Sequence, residues 1–213
     1  MLTFMVSLAG YSQNFPTEFM GIPVDGTKTH MINALKAKGF TYNSVNDWMT
    51  GQFNGMDVIV QVLTNKNKVD RIFVFNSQPF EEQQIKSQYN ALVNQFNNNK
   101  KYVNPAETDY TIPESEDISY EITVNNKRYE AQYYQLLNFN DFSKYIYSRI
   151  DSTELANLPQ NEQMEKIKKI SGNFITEVVP KRLVWFIISR TYGRYYINLF
   201  YDNEYNRPNG EDL

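Results

Sequence analysis

The chain contains no cysteine. That removes disulfides, thiolate nucleophiles, Cys-ligated zinc, iron–sulfur clusters and a lipid-modified N-terminal cysteine in one step. It holds one histidine, His30, so neither a multi-histidine metal site nor H-E-x-x-H chemistry can be assembled. A surplus of charge of one sign is also missing. The 21 basic and 24 acidic side chains leave a formal charge of −3, too small a field to gather nucleic acid or anionic lipid. Nucleic acid is therefore not expected as a partner. Long apolar runs are absent as well: the stretch from Leu2 to Ala9 falls far short of a hydrocarbon core about 30 Å thick, so no membrane insertion is expected. There is no G-x-G-x-x-G, no G-x-x-x-x-G-K-[ST] and no G-x-S-x-G, hence no phosphate-cradling loop, no nucleophile elbow and no expected cofactor.

What is abundant is aromatic and amide. Aromatics make up 15% of the 213 residues, 16 of them Tyr, and Asn recurs throughout. That mixture suits pleated strands and polar turns better than helix bundles. The opening MLTFMVSLAGYSQ is an apolar run that ends in small residues. Its length and the spacing Gly10-Tyr11-Ser12 before Gln13 match a secretory signal, with cleavage before Gly10 as a second option. No Lys or Arg precedes Lys28, so the basic start of such a signal is missing. The expectation is that residues 1–12 are the remnant of an export signal, that residues 13–213 form one globular body, and that the protein is periplasmic or secreted. The competing reading is an N-terminal edge strand, MLTFMVSL.

Beyond this run, Thr27 suits a helix N-cap, with Met31, Ile32 and Leu35 on one face and Gly39 closing the helix. His30 lies in its first turn, where a lone imidazole reads as a surface or boundary residue. Up to four strands are expected between Phe40 and Asn76: TYNSV, MTGQFNG, MDVIVQVLT with Val58, Val60 and Val62 on one face, and VDRIFVF after a turn at 65–68. FEEQQIKSQYNALVNQF predicts a helix buried along Ile85, Tyr89, Leu92, Val93 and Phe96, with Pro79 just inside its start. ISYEITV and KRYEAQY predict a hairpin about Asn125-Asn126, whose register would oppose Glu121 to Glu130. Residues 138–179 read as helical, with Met164, Ile167 and Ile170 on one face and an end near Pro180. RLVWFIISR and RYYINLFYD close the chain as a hairpin about Tyr192-Gly193 that pairs Phe186 with Leu199, Ile188 with Ile197, Trp185 with Phe200 and Ser189 with Tyr196. Bulk apolar groups on both faces place it centrally, covered on both sides.

The order reads as an α+β protein of two units, each a helix followed by an antiparallel meander, dividing at 13–99 and 100–213, with a helical stretch inserted in the second. With FMGIPVDG near the start and YDNEYNRPNGEDL at the end, the chain resembles uncharacterised bacterial exported proteins and the β-lactamase-inhibitor-protein-like fold. The resemblance implies an extracytoplasmic α+β protein and carries over no catalytic or binding residue.

Four groups of side chains are candidates for function. Glu114, Glu116, Asp117 and Glu121 cluster in PESEDISYE, where two acids could serve a glycosidase or bind a cation; solvated loop charges explain the same letters. Asp202, Glu204 and Asn206 alternate like the first ligands of a calcium loop, although Arg207 and Pro208 stand where the glycine turn belongs. Lys166, Lys168, Lys169, Lys181 and Arg182 form a basic cluster, read as a solvated helix face. Tyr133, Tyr134, Trp185, Tyr192, Tyr195, Tyr196 and Tyr201 lie on or near strands; most should pack in the core, with Tyr192, Tyr195, Tyr196 and Trp185 the candidates for stacking on a ligand. These features favour a non-enzymatic exported binding protein with a protein or glycan partner. A carboxylate-based extracytoplasmic hydrolase and a structural envelope component are the alternatives.

Overall fold

The structure is a computed structural model describing residues 14–208 and 210; the expected signal segment, 1–12, lies outside the described residues. A short hairpin of β1 (Glu18–Phe19) and β2 (Ile22–Pro23) leads into helix α1 (Lys28–Ala37). Thr27 caps α1 by accepting the His30 amide at 3.3 Å, and Met31, Ile32 and Leu35 are buried as their spacing requires. The expected meander follows: β3 (Thr41–Asn43), β4 (Trp48–Phe53), β5 (Met56–Asn65) and β6 (Lys68–Asn76). Its two long hairpins turn on Asn54-Gly55 and Lys66-Asn67, both residues of each pair having positive φ, the twist that matches antiparallel strands.

Helix α2 (Glu82–Asn98) buries Ile85, Tyr89, Leu92, Val93 and Phe96. It begins later than the proline suggested. Glu81 and Gln84 form a capping box, so the orphan amides are satisfied there and Pro79 stays outside the helix. The edge strand β7 (Tyr102–Val103) comes next.

The hairpin expected about Asn125-Asn126 does not form. ISYEITV is helix α3 (Ile118–Val124), capped by the Asp117 carboxylate on the Tyr120 amide at 2.8 Å. Ile118 and Ile122, one helical turn apart, pack into the core, while Tyr120 and Val124 face solvent. Tertiary burial of that i, i+4 pair overrides the β-propensity of the branched residues. Asn126 does adopt a positive φ, but it ends a helix instead of turning a hairpin. KRYEAQY contributes β8 (Glu130–Gln135), which pairs with the C-terminal hairpin and with β7. The Glu121–Glu130 opposition never arises.

Residues 138–181 supply α4 (Phe139–Tyr147), α5 (Ser152–Ala156), α6 (Gln160–Glu177) and a 3-10 turn at Val179–Lys181 that contains Pro180. They build a second core with Phe15, made of Tyr145, Ile146, Ile150, Phe174, Val178 and Val179. Of the face expected in α6, only Ile170 packs against this core; Met164 is 65% exposed, and Phe174 fills the centre. The chain ends in β9 (Leu183–Thr191) and β10 (Arg194–Asp202) in the expected register.

All eight strands from β3 onward form one antiparallel sheet, in the order β3-β4-β5-β6-β10-β9-β8-β7. Helices α1 and α2 pack on one face, over Val58, Val60, Val74, Phe186, Ile188 and Leu199. The C-terminal hairpin is central, but it is not covered on both sides. Its second face, with Trp185, Ile187, Tyr196 and Phe200, is half-exposed, because these bulky residues shield one another instead of packing under a further layer.

Arg182 departs furthest from the expectation of a solvated basic face. It is 2% exposed, and its guanidinium donates to the carbonyls of Gln135 (2.7 Å), Phe15 (3.0 Å) and Pro16 and to the Gln135 side-chain oxygen (2.9 Å). It ties the N-terminal segment, β8 and the start of β9 together.

Candidate functional site: the open face of the sheet

Strand register aligns a row of side chains across the uncovered face. Phe73 on β6 stands opposite Phe200 on β10, which stands opposite Trp185 on β9. The Trp185 and Phe200 rings stack at 4.1 Å and 20°, and Phe200 and Phe73 at 4.8 Å and 9°. Phe75 leans on Phe73 at 5.0 Å. Because the ring spacing approximates that between paired strands, the rings stand upright on the pleat, faces against one another and edges to solvent. Gln61 continues the row on β5 and Gln132 on β8, and the next row runs Ile59, Phe75, Asn198, Ile187. The face is therefore an apolar ridge flanked by amides.

One end of the ridge is locked by charge. Asp202, 1% exposed, accepts two bonds from Arg71 (2.5 and 2.9 Å) and one from the Trp185 indole N–H (2.9 Å). The Arg71 guanidinium lies 5.0 Å from the Phe200 centroid and 5.7 Å from that of Trp185. Burial works against its charge, but the hydrogen bonds and the charge of Asp202 outweigh this and raise its pKa.

The three residues that alternate like calcium ligands are thus committed elsewhere. Asp202 holds Arg71, Glu204 accepts from Arg207 (2.5 Å), and Asn206 donates to Asp25 (2.7 Å) and to the Val69 carbonyl (2.8 Å). Among the described residues no three His, Cys, Asp or Glu side chains gather as a metal site would require. Of the four carboxylates of PESEDISYE three are engaged too, while Glu114 is exposed and, among the described residues, offers only its backbone carbonyl, to Lys86. Glu116 accepts from Lys127 and from the Tyr129 hydroxyl (2.5 Å), and these bonds, Lys127 first, hold its pKa below the usual value. Asp117 caps α3 and Glu121 accepts from Asn125 (2.9 Å). Among the described residues the one acid pushed upward is Asp70, through desolvation; its Oδ1 is buried with no hydrogen-bond partner among them.

The aromatic candidates separate by face. Trp185 and Tyr196 lie on the open face, and Tyr192 occupies the hairpin tip, fully exposed. Tyr195 points the other way: it is 2% exposed in the main core, so only three of the four residues share accessible surface. Tyr133 and Tyr201 are core residues, and burial, the first cause, raises the Tyr133 pKa to about 12. Phe73, Phe75, Phe200 and Arg71 were not singled out from sequence. The signal for them was the alternation Arg71, Phe73, Phe75 opposite Ile72 and Val74, which reads as one ordinary strand until β10 is placed beside it.

Among the described residues no helix is long and apolar enough to cross a membrane. No family model, no curated protein and no solved structure matches the chain.

Proposed function

We propose that this chain is an exported, non-enzymatic binding protein that engages a protein partner through the open face of its sheet. The observation that carries the reading is the upright stack Trp185–Phe200–Phe73 on a face that nothing described covers. A sugar stacks on the flat of a ring, and here the flats are already used by neighbouring rings. What remains is an apolar ridge of edges bordered by Gln61, Gln132 and Asn198, whose amides match the backbone and side-chain groups of another protein. The order of helix, four-stranded meander and second helix supports the likeness to the β-lactamase-inhibitor fold, and the small-residue pattern before Gln13 supports export.

The test compares the wild type with the double variant Ile59→Lys/Ile187→Lys, which adds two charges to the ridge at half-exposed positions. A protein captured from the envelope fraction by the wild type should be lost by the variant while both melt alike. Equal capture by both would move the site off this face, and a glycan-array signal with no captured protein would replace the partner class. For localisation, mass spectrometry of exported material should find a new N-terminus at Gln13 or Gly10; an intact Met1 in cytosolic material would refute export.

A further inference from the structure

On the opposite, helix-covered side, a cleft opens between α2, the β1–β2 hairpin and β7. Its two lobes, about 280 Å³ and about 240 Å³, share Glu18, Asn99, Lys101 and Gln135. The first lobe is mixed: one wall is apolar, made by Phe53, Leu92, Phe96 and Tyr201, and it faces the polar Glu18, Asn54, Gln95 and Asn99. The second is cationic, lined by Lys100, Lys101 and the buried Arg182.

Arg182 makes this lobe unusual. A guanidinium carries five N–H donors, and four bonds are made, all to uncharged oxygens of Phe15, Pro16 and Gln135. One N–H on the Nη2 nitrogen remains, and among the described residues no ion pair neutralises the charge; Glu18 and Asp141 act on it only at longer range. A buried cation without a directly paired anion is costly, which is why such groups are normally paired. Lys100 and Lys101 add two ammonium groups that have no hydrogen bond or ion pair among the described residues. At the junction, the Tyr102 hydroxyl lines the first lobe and accepts from Gln135 Nε2 at 3.3 Å, and a phenol that accepts there can donate its own O–H to a ligand in the cleft. Glu18 lines both lobes with its carboxylate unpaired among the described residues, and it disfavours a ligand carrying more than one negative charge there.

We infer that this cleft binds a small monoanionic organic acid, its carboxylate held by Arg182, Lys100, Lys101 and the Tyr102 hydroxyl and its apolar body lying against Phe96 and Tyr201. Only taken together do the two lobes reach the roughly 300–1,000 Å³ of pockets that bury small ligands, room for a carboxylate and a body of about ten heavy atoms. The site is independent of the open sheet face, so either can fail without the other.

The experiment titrates the full chain with 3-phenylpropionate, 3-phenylpropan-1-ol and phenyl phosphate, followed by amide chemical shifts and calorimetry. Saturable binding of the carboxylate is expected, with the Tyr102 and Gln135 amides shifting, and about tenfold weaker binding of the neutral alcohol, which lacks charge-assisted hydrogen bonds. Phenyl phosphate, dianionic at neutral pH, should bind more weakly than the carboxylate. The exposed pair Lys100→Gln/Lys101→Gln should lower carboxylate affinity about fivefold without changing the melting temperature, and Tyr102→Phe should lower it while keeping the ring. No binding of the carboxylate at millimolar concentration, equal binding of the alcohol, tighter binding of phenyl phosphate, or affinity indifferent to the lysine pair would each overturn the assignment.

Discussion

Asp202 shows how one residue changes meaning once its neighbours are known. In the sequence it begins an alternation of oxygen ligands; in the fold its two oxygens receive Arg71 and the Trp185 indole from the floor of the open face. Removing it would leave Arg71 half-buried and unpaired. Asp202→Ala should cost about 3 kcal/mol in urea denaturation, the lower end for breaking a buried pair, since Arg71 is partly solvated. Millimolar calcium should leave the melting temperature of the wild type unchanged; a reproducible rise would restore the cation reading. Glu116 and Asp70 give pH effects of opposite sign. Glu116 has its folded pKa depressed below 4.5 by Lys127 and Tyr129, so its contribution is present above that value and is lost as pH falls through the folded pKa. Glu116→Gln should therefore flatten the acid limb of the stability–pH curve. Asp70 is raised above 3.8 by desolvation, so its favourable contribution belongs to low pH and fades as pH rises through the folded pKa. Asp70→Asn should leave neutral-pH stability equal or higher, by less than about 1 kcal/mol given its partial exposure; a clear loss would mean that its attraction to Arg71 and Arg207 outweighs desolvation.

At the scale of elements, those with local punctuation were readable and those decided by distant burial were not. The Thr27 cap, the Tyr192-Gly193 turn and the α2 stripe are each specified within a few residues, and all formed as expected. Segment 118–124 was ambiguous locally. Its Ile, Thr and Val favour a strand, whereas Asp117 at the cap and Ile118 and Ile122 at i, i+4 favour a helix, and the core beneath decided it. Asp117→Ala should lower stability by about 1 kcal/mol through loss of the cap, with a fall in helical circular dichroism. In β4, Gly51 is needed for a different reason. A Cβ there would meet the Phe40 ring at 2.6 Å, so Gly51→Ala should destabilise by about 1–3 kcal/mol through overpacking, measured by thermal melting. Met164 and Ile167 follow helical spacing faithfully and still face outward, because Phe174 and Ile170 already fill the space against α4.

For the whole molecule, the decisive contact is the seam where β6 meets β10, which fuses the first meander and the C-terminal hairpin into one sheet. Beside it, the two short phrases FMGIPVDG and YDNEYNRPNGEDL, far apart in the chain, meet in space. Asn203 donates to the Val24 carbonyl and Asn206 to Asp25, each at 2.7 Å, and the Phe19 and Tyr201 rings lie 5.0 Å apart. Their asparagines serve closure of the fold. Hydrogen exchange should accordingly be slowest for the β6 and β10 amides and faster through α4–α6, whose core is smaller and separate; equal protection in both would show that the two cores open as one. The sequence by itself determined composition-level exclusions, the α1 and α2 faces, the first meander and the register of the last hairpin, since periodicity and turn chemistry act over a few residues. Only the tertiary structure decided that 118–124 is helical, that Arg182 is buried, that Asp202 and its neighbours clamp the fold, and that the central hairpin leaves one face open. Each of those depends on which distant segment lies alongside, and short-range pattern carries no information about that neighbour.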